Sequence, residues 1–379
     1  MRVVFLIRSF LYYTGQLANA MADQGHDVLI LAAHHCGEFV GSAGGSDLHN
    51  QFREFLDPRV SLKWAYMPER TLPRTVVSNL KCIARLMKLI TNYRPEVLHL
   101  HDAADYRIFF AAMLTRRAHK LVLTVHDAEL HPGDSPNKIE FIRPWLRRMA
   151  DGIIVHGEDI KRRLMEVSKT PEDRIYQAPI GGYLFYRKWL SDDDGAARRN
   201  VLFFGRVHKY KGLDVLIRSA PLVCRQVPEA KFVIAGEGPD WPRCKALIEH
   251  SESFVLHEGA VYDPDVARLF EEAAVVVLPY IEASQSGVLA IAYGMGKPVI
   301  VTDVGSLPEV VEDGGTGFIV PPNDVEALAK AIITILTDDE LRERMSRNAY
   351  RRAVTDLSWA EAARRTAEAY AAVTARRAR

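Results

Sequence analysis

Two cations stand in the loop between an apolar run and an amphipathic one. Val201–Phe204 leads into Gly205 and Arg206, and Lys211-Gly212 precedes Leu213–Cys224. The first run reads as a buried strand and the second as a helix. Gly205 lets the backbone turn tightly where the strand ends. Arg206 offers a planar fork of donors suited to phosphate, and Lys211 a mobile point charge. Both lie near a helix start, whose free N–H groups favour anions. The chemistry open to this set is to bind and neutralise a phosphate-bearing ligand. The competing reading is a solvated basic loop, against which stands the position at a strand's carboxyl end.

Three more strand ends in the same half carry residues of this kind. Leu278–Val288, LPYIEASQSGV, leaves an apolar strand and opens a helix. Ser284, Ser286 and Gly287 would leave room for a ligand to approach backbone N–H groups at that helix start, with Glu282 at the mouth. An ordinary helix capped by Ser284 or Ser286 accounts for the same residues. Gly236, Glu237 and Gly238 end another strand, and a lone G-x-G is also found in any tight strand-to-helix turn. Val304–Glu309, VGSLPE, is a further Gly-bearing turn after a strand.

In the first half two strands end alike, Leu98-His-Leu-His-Asp102 and Leu123-Thr-Val-His-Asp127. As neighbours they would bring His101-Asp102 and His126-Asp127 together. Histidine could orient a hydroxyl or relay a proton, and an aspartate could fix its tautomer; a satisfied structural hydrogen bond is the alternative for each. The spacings define no set of three or four ligands for zinc. His34-His35-Cys36 reads as structural, because adjacent strand residues point to opposite faces. Asp192–Asp194 sits in a Gly/Arg-rich stretch and reads as solvated linker, so no metal is assigned.

The elements that must position these residues repeat one unit. Short apolar runs alternate with amphipathic helices, which implies parallel sheets covered on both faces. The first half offers strands at residues 2–8, 27–33, 96–101, 120–126 and 152–156. The second offers them at 200–204, 230–235, 253–257, 274–279, 298–302 and 316–320. Helices are expected at 14–24, 75–93, 136–150, 213–224, 239–250, 263–272, 285–295 and 324–336, with a helical tail over 338–373; Asp263 before Pro264 suggests an N-cap. The polar stretch 187–200 divides the halves. The fold class is therefore α/β, two doubly wound Rossmann-like domains facing a cleft. The expected division is 1–186, a linker at 187–200, 201–356, and a terminal helix over 357–379 packing back on the first domain.

Composition narrows the function. The chain has 379 residues, 48% hydrophobic and 26% charged, with a net charge of +1. That is the balance of a globular protein, and nothing global points to nucleic acid. No apolar run is long enough to span a membrane, and the opening MRVVFLIRSF reads as a strand, not as a signal peptide. Four scattered cysteines fit a reduced, cytoplasmic location. Two basic amphipathic stretches, residues 80–90 and 143–148 with 161–163, fit ordinary surface helices and also docking on an anionic membrane face.

The second half resembles family 4 glycosyltransferases, which are retaining, sugar-nucleotide-dependent enzymes of the GT-B fold. The resemblance rests on G-R-x4-K-G after a strand, VIAGEGP (Val233–Pro239), GKPVI (Gly296–Ile300), TDVGSLPEVVEDGGTGFIVPPND (Thr302–Asp324) and Leu357-Ser-Trp359. It is looser in the first half, which keeps Gln24-Gly-His-Asp-Val28 and Thr124-Val-His-Asp127.

The resemblance places the phosphate-binding pair on Arg206 and Lys211, after Gly205. The histidine that touches the transferred sugar falls on His126, with His101 and Asp127 on the acceptor side. The glycine-rich loop near the first helix falls around Gly15. The distal phosphate falls on Ser286, Gly287 and Val288, beside Gln285. Base and ribose fall near Gly259–Tyr262, Gly236, Glu237, Gly238 and Glu309. The family's two glutamates, eight positions apart, are replaced by Ala283 and Ile291. Glu282, one step early in an EASQSGV loop typical of a subgroup, stands in for the first.

The implied activity is transfer of a sugar, with retention, from a nucleoside-diphosphate sugar to a hydroxyl acceptor. That acceptor would be carbohydrate or lipid-linked, in polysaccharide or glycolipid assembly. No cofactor and no metal are expected, and the location is cytoplasmic with peripheral contact to the inner membrane face as an option. Two rivals keep the same diphosphate site: a sugar-nucleotide epimerase of this architecture, which needs no acceptor, and a non-catalytic nucleotide-sugar-binding subunit.

Overall fold

The computed structural model describes residues 1–33, 45–65, 67, 75–102, 105–129, 142–191, 199–249 and 251–376. The sequence readings at His34–Cys36 and Asp192–Asp194 lie outside the described residues. The chain divides into two compact units, the first closing with Trp359–Arg379 and the second holding Ile180–Ser358.

The first unit is a seven-stranded parallel sheet. Its strands are β1 (Arg2–Ile7), β2 (Asp27–Ala33), β3 (Ser61–Ala65), β4 (Val97–His101), β5 (Lys120–Thr124), β6 (Gly152–Val155) and β7 (Ile175–Gln177). Its helices are α1 (Leu11–Asp23), α2 (Gly45–Phe55), α3 (Thr75–Tyr93), α4 (Tyr106–Thr115), α5 (Ile142–Met149) and α6 (Glu158–Ser168). Central strands such as FLI in β1 and VLHLH in β4 are buried throughout, which is why they read as unbroken apolar runs. The sheet order is β3-β2-β1-β4-β5-β6-β7. Strand order therefore reverses between β1 and β4, where the chain after β3 crosses back over the sheet. β3 and β7 escaped the sequence reading: β3 alternates over only five residues and β7 has three.

The second unit is a six-stranded parallel sheet of order β10-β9-β8-β11-β12-β13. Its strands are β8 (Asn200–Phe204), β9 (Lys231–Gly236), β10 (Phe254–Glu258), β11 (Ala273–Leu278), β12 (Val299–Thr302) and β13 (Gly317–Val320). Its helices are α7 (Leu213–Gln226), α8 (Trp241–Lys245), α9 (Asp263–Glu272), α10 (Gly287–Gly294), α11 (Leu307–Val310), α12 (Val325–Thr337) and α13 (Asp339–Val354). Its reversal point lies between β8 and β11. Phe203, Phe232, Ile234, Val275 and Ile332 fill the core on one side of the sheet. The helix expected over 239–250 is only the five residues of α8, and Tyr262, not Asp263, takes the N-cap position of α9. Asp338 caps α13 through Leu341 N–H at 2.9 Å.

The last helix, α14 (Trp359–Ala375), belongs to the first unit. Trp359 meets the Tyr13 ring edge-on at 5.1 Å, and the Tyr370 hydroxyl bonds His99 under the sheet. Gly152 in β6 has no side chain because Val373 stands where a Cβ would be. No described helix is long and apolar enough to cross a membrane.

Candidate functional site

The reversal point of the second sheet collects the four strand ends singled out in the sequence. Backbone interlocking holds them. Gly236 has a φ of 145°, and a Cβ there would lie 1.9 Å from the Gly205 carbonyl oxygen. Gly238 stands as close against Val207 O, at 2.1 Å, while Val207 N–H donates to Glu237 O at 2.7 Å. Gly212 has a φ of 64° and would put a Cβ 1.9 Å from Pro279 O, the end of β11. These are the close approaches that only glycine permits. They tie the loop after β8 to those after β9 and β11. The loop after β12 joins them through Ser306 N–H, which donates to Ser284 O at 3.0 Å, and Glu309 lies exposed on α11 just beyond.

Within this frame the two cations lie against tyrosines that the sequence reading did not single out. Arg206 donates to the Tyr210 hydroxyl at 2.7 Å. The Lys211 ammonium lies 3.6 Å from the Tyr280 ring centroid and 5.1 Å from that of Tyr210. Tyr210 thus touches both. Its backbone carbonyl also accepts Ile281 N–H at 2.8 Å and Glu282 N–H at 3.4 Å, so it fastens the start of the β11–α10 loop. A cation over a buried ring keeps its charge while losing freedom of position. Tyr210 and Tyr280 carried no signal beyond being aromatic, because the contact depends on β8 and β11 being neighbours.

The loop into α10 leaves room at its helix start. Ser286 is the N-cap position but makes no side-chain cap bond; its hydroxyl pairs with the Tyr280 hydroxyl at 3.2 Å. Gly287 opens onto space, with nothing within 4 Å of where its Cβ would be. Gln285 Oε1 and Ser306 Oγ are buried without a hydrogen-bond partner in the described structure, a costly state that a polar ligand would relieve. Val288 packs against Gly205, 3.5 Å from its ideal Cβ position. Of the positions aligned with the family's glutamates, Ala283 is buried and its carbonyl is pressed on by Gly305, while Ile291 is buried in the core. Glu282 is half-buried.

In the first unit β4 and β5 are paired, so His101 and His126 do meet. His101 Nδ1 lies 2.9 Å from His126 Nε2, and His101 Nε2 lies 2.9 Å from Thr14 Oγ1. Phe10 stacks on His126 at 3.8 Å between centroids and is held there with a left-handed φ of 61°. Tyr13 meets both rings edge-on, and His156 lies beside His126. Burial drives all four histidines of the cluster below their ordinary range: His101 to about 3, His156 to about 4, and His99 and His126 well down.

Neutral rings fix the tautomers. Thr14 donates its hydroxyl to Phe10 O at 2.8 Å, so it accepts from His101 Nε2–H. His101 Nδ1 is then bare and accepts from His126 Nε2–H. His126 Nδ1 is left bare, buried and without a partner in the described structure. His156 donates Nδ1–H to Ala178 O at 2.8 Å, which leaves its Nε2 bare and unpartnered as well. The cluster therefore presents two hydrogen-bond acceptors suited to hydroxyl donors. His156 was not singled out in the sequence.

Arg147 was missed too. It is buried on α5 and donates to Asp102, to Asp127 O at 3.1 Å and to Ala128 O at 2.9 Å. It thereby clamps the turn that carries His126 and Asp127, and it occupies the Asp102 carboxylate. Gly15 does not form a loop. It lies inside α1, where a Cβ would meet Phe55 at 2.7 Å and Phe52 at 3.0 Å, a packing contact between helices. Among the described residues, no group of three or more His, Cys, Asp or Glu is arranged to hold a metal.

Comparison with known proteins gives the family and the fold. Residues 12–181 match the family model described as Glycosyltransferase Family 4, and residues 198–338 the model described as Glycosyl transferases group 1. Glycogen synthase of Mycobacterium tuberculosis is 26% identical over 94% of this chain and 89% of its own length. Phosphatidyl-myo-inositol mannosyltransferase of Mycobacterium leprae is 27% identical over 66% of each. Among solved structures, Anabaena Alr3699/HepE in complex with UDP-glucose superposes with a TM-score of 0.72 at 16% identity, covering 98% of this chain and 99% of that one. That likeness speaks to the fold, which is the GT-B arrangement.

Proposed function

We propose that this chain, which belongs to the family 4, group 1 glycosyltransferases, moves a sugar from a nucleoside-diphosphate donor to a hydroxyl of a carbohydrate or lipid-linked acceptor, with retention at the anomeric carbon. Relatives named glycogen synthase and phosphatidyl-myo-inositol mannosyltransferase support sugar transfer in polysaccharide or glycolipid assembly. The observation that carries the reading is the pair of cations, Arg206 and Lys211, set against Tyr210 and Tyr280 at the β8/β11 reversal point.

The barrier is cleavage of the bond from the anomeric carbon to the diphosphate oxygen. Negative charge grows on the leaving diphosphate as that bond breaks. Arg206, Lys211 and the N–H groups opening α10 stabilise it, and their positions are fixed before the reaction begins. Ser286, Gly287 and Val288 take the distal phosphate; Gly236–Gly238 and Glu309 lie toward the nucleoside. In the first unit the bare His126 Nδ1 accepts a hydrogen bond from a sugar hydroxyl, and Asp127 lies beside the entering acceptor. The acceptor hydroxyl forms the new bond on the face the diphosphate leaves, and its proton passes to a phosphate oxygen. The protein's own cations supply the charge neutralisation, and no step calls for a metal.

Thermal-shift measurements with UDP, GDP, TDP and ADP test the donor class. A ligand at about 100 times its dissociation constant adds about 2.7 kcal/mol to the form that binds it. Turnover with the matching donor follows. No shift with any nucleotide overturns the reading, and donor conversion with no acceptor and no transfer points instead to an epimerase.

A further inference from the structure

We propose that the outer face of α3, α4 and α5 is a docking surface for an anionic lipid bilayer. The three helices lie on one face of the first sheet, since each follows a right-handed crossover in the same direction and α3 packs on α4 and α4 on α5. Two observations about this face coincide. The first is charge. Residues 75–93, 106–118 and 142–149 contain nine Lys and Arg and no Asp or Glu, in a chain whose totals are 49 and 48. Arg107 pairs with Asp105, Arg147 with Asp102 and Arg116 with Asp151. Lys81, Arg85, Lys88, Arg117 and Arg148 remain exposed on it.

The second is apolar exposure. Half of the large apolar side chains exposed among the described residues sit on these three helices, and the rest are scattered. Val77 and Leu80 stand out on α3, Phe110 and Leu114 on α4, and Trp145 on α5, each between 40% and 60% exposed. Arg148 lies over the Trp145 ring at 5.9 Å. Exposed apolar side chains and exposed cations on the same helices match a surface that is oily beneath and anionic above, with Trp at the boundary. A second copy of the same face fits poorly, because cations would meet cations. A polyanion such as nucleic acid would leave Leu80, Leu114 and Trp145 without a role. The inference rests on the lipid-linked branch of the proposed function, since docking here would hold the first unit beside such acceptors.

Vesicle flotation of the full chain tests it, with phosphatidylcholine vesicles that do or do not contain phosphatidylglycerol, at low and high salt. The chain is expected to float with the anionic vesicles only, and less at high salt. Lys81→Gln, Arg85→Gln and Lys88→Gln together should lower partitioning about 100-fold, at roughly one decade or less per cation. Leu80→Gln with Trp145→Ala should lower it while keeping the salt dependence. No flotation of the wild type with anionic vesicles overturns the proposal. So does a triple variant that binds like wild type, or an apolar double variant that binds like wild type and so marks a plain polyanion site. Cooperative melting of the same variants at the wild-type temperature, without ligand, shows that they are folded, and nucleotide thermal shifts are then measured on them. Those shifts report on donor binding separately, so failure of docking and failure of the transferase reading are told apart.

Discussion

Acid should unfold the first unit well before the second, and the histidine cluster sets by how much. His101 and His156 titrate near 6.5 when exposed and are held at about 3 and about 4 in the fold, chiefly by burial. His99 and His126 move the same way. Because the folded pKa is the lower one, the unfolded chain binds more protons between the two values. Stability is therefore fully present above about pH 6.5 and falls as pH drops toward the folded values, by about 1.4 kcal/mol per pH unit for each histidine. Integrated from about pH 7 to about pH 4.5, His101 and His156 alone remove about 5 kcal/mol, which is comparable with the whole stability of many domains. Carboxylates act later. Glu361, held at about 2 by its bonds to Arg364 and Arg365, loses its contribution only below about pH 4.5. Urea unfolding at a series of pH values, read by hydrogen-exchange mass spectrometry, separates peptides of β4 and β5 from those of β8 and β9. The urea midpoint of the first set should fall steeply between about pH 6 and about pH 4.5 while the second holds. Equal midpoints for the first set across that range would mean that the cluster is hydrated and titrates normally, and the tautomer argument would go with it.

Three further outcomes follow from the contacts. Lys211→Ala should cut turnover about a hundredfold, about 3 kcal/mol of lost charge stabilisation, with little change in melting temperature; steady-state kinetics within threefold of wild type would remove Lys211 from the mechanism. Gly236→Ala forces a Cβ into the Gly205 carbonyl at a φ that L-residues avoid, so nucleotide-induced thermal shifts should disappear even where circular dichroism shows the fold retained. Arg147→Met strands the buried Asp102 carboxylate and should cost about 3–5 kcal/mol in chemical denaturation, most of it recovered when Asp102→Asn is added.

The residue types at the strand ends were legible from the chain alone. Gly205, Arg206, Lys211 and Gly212 mark a strand-to-helix turn that brings two cations beside free N–H groups, the residue types an anion site needs. The alternation of buried runs and amphipathic helices likewise announces two parallel sheets, since a strand covered on both faces must be apolar throughout. Short, half-exposed elements did not show: β3 and β7 lack the length for a period to register. Nor did the glycine at 15, whose role is to admit Phe52 and Phe55.

What local sequence determines, then, is which side chains could meet a phosphate and which segments must be buried. Sheet order decides the rest. Tyr280 comes under Lys211 only because β11 lies beside β8, and His126 bonds His101 only because β5 lies beside β4. Arg147 reaches Asp102 across 45 residues of chain, and Tyr370 reaches His99 across 271. Such contacts are made between segments whose local patterns say nothing of each other, so burial, tautomer and charge at the site exist only once the sheets have formed.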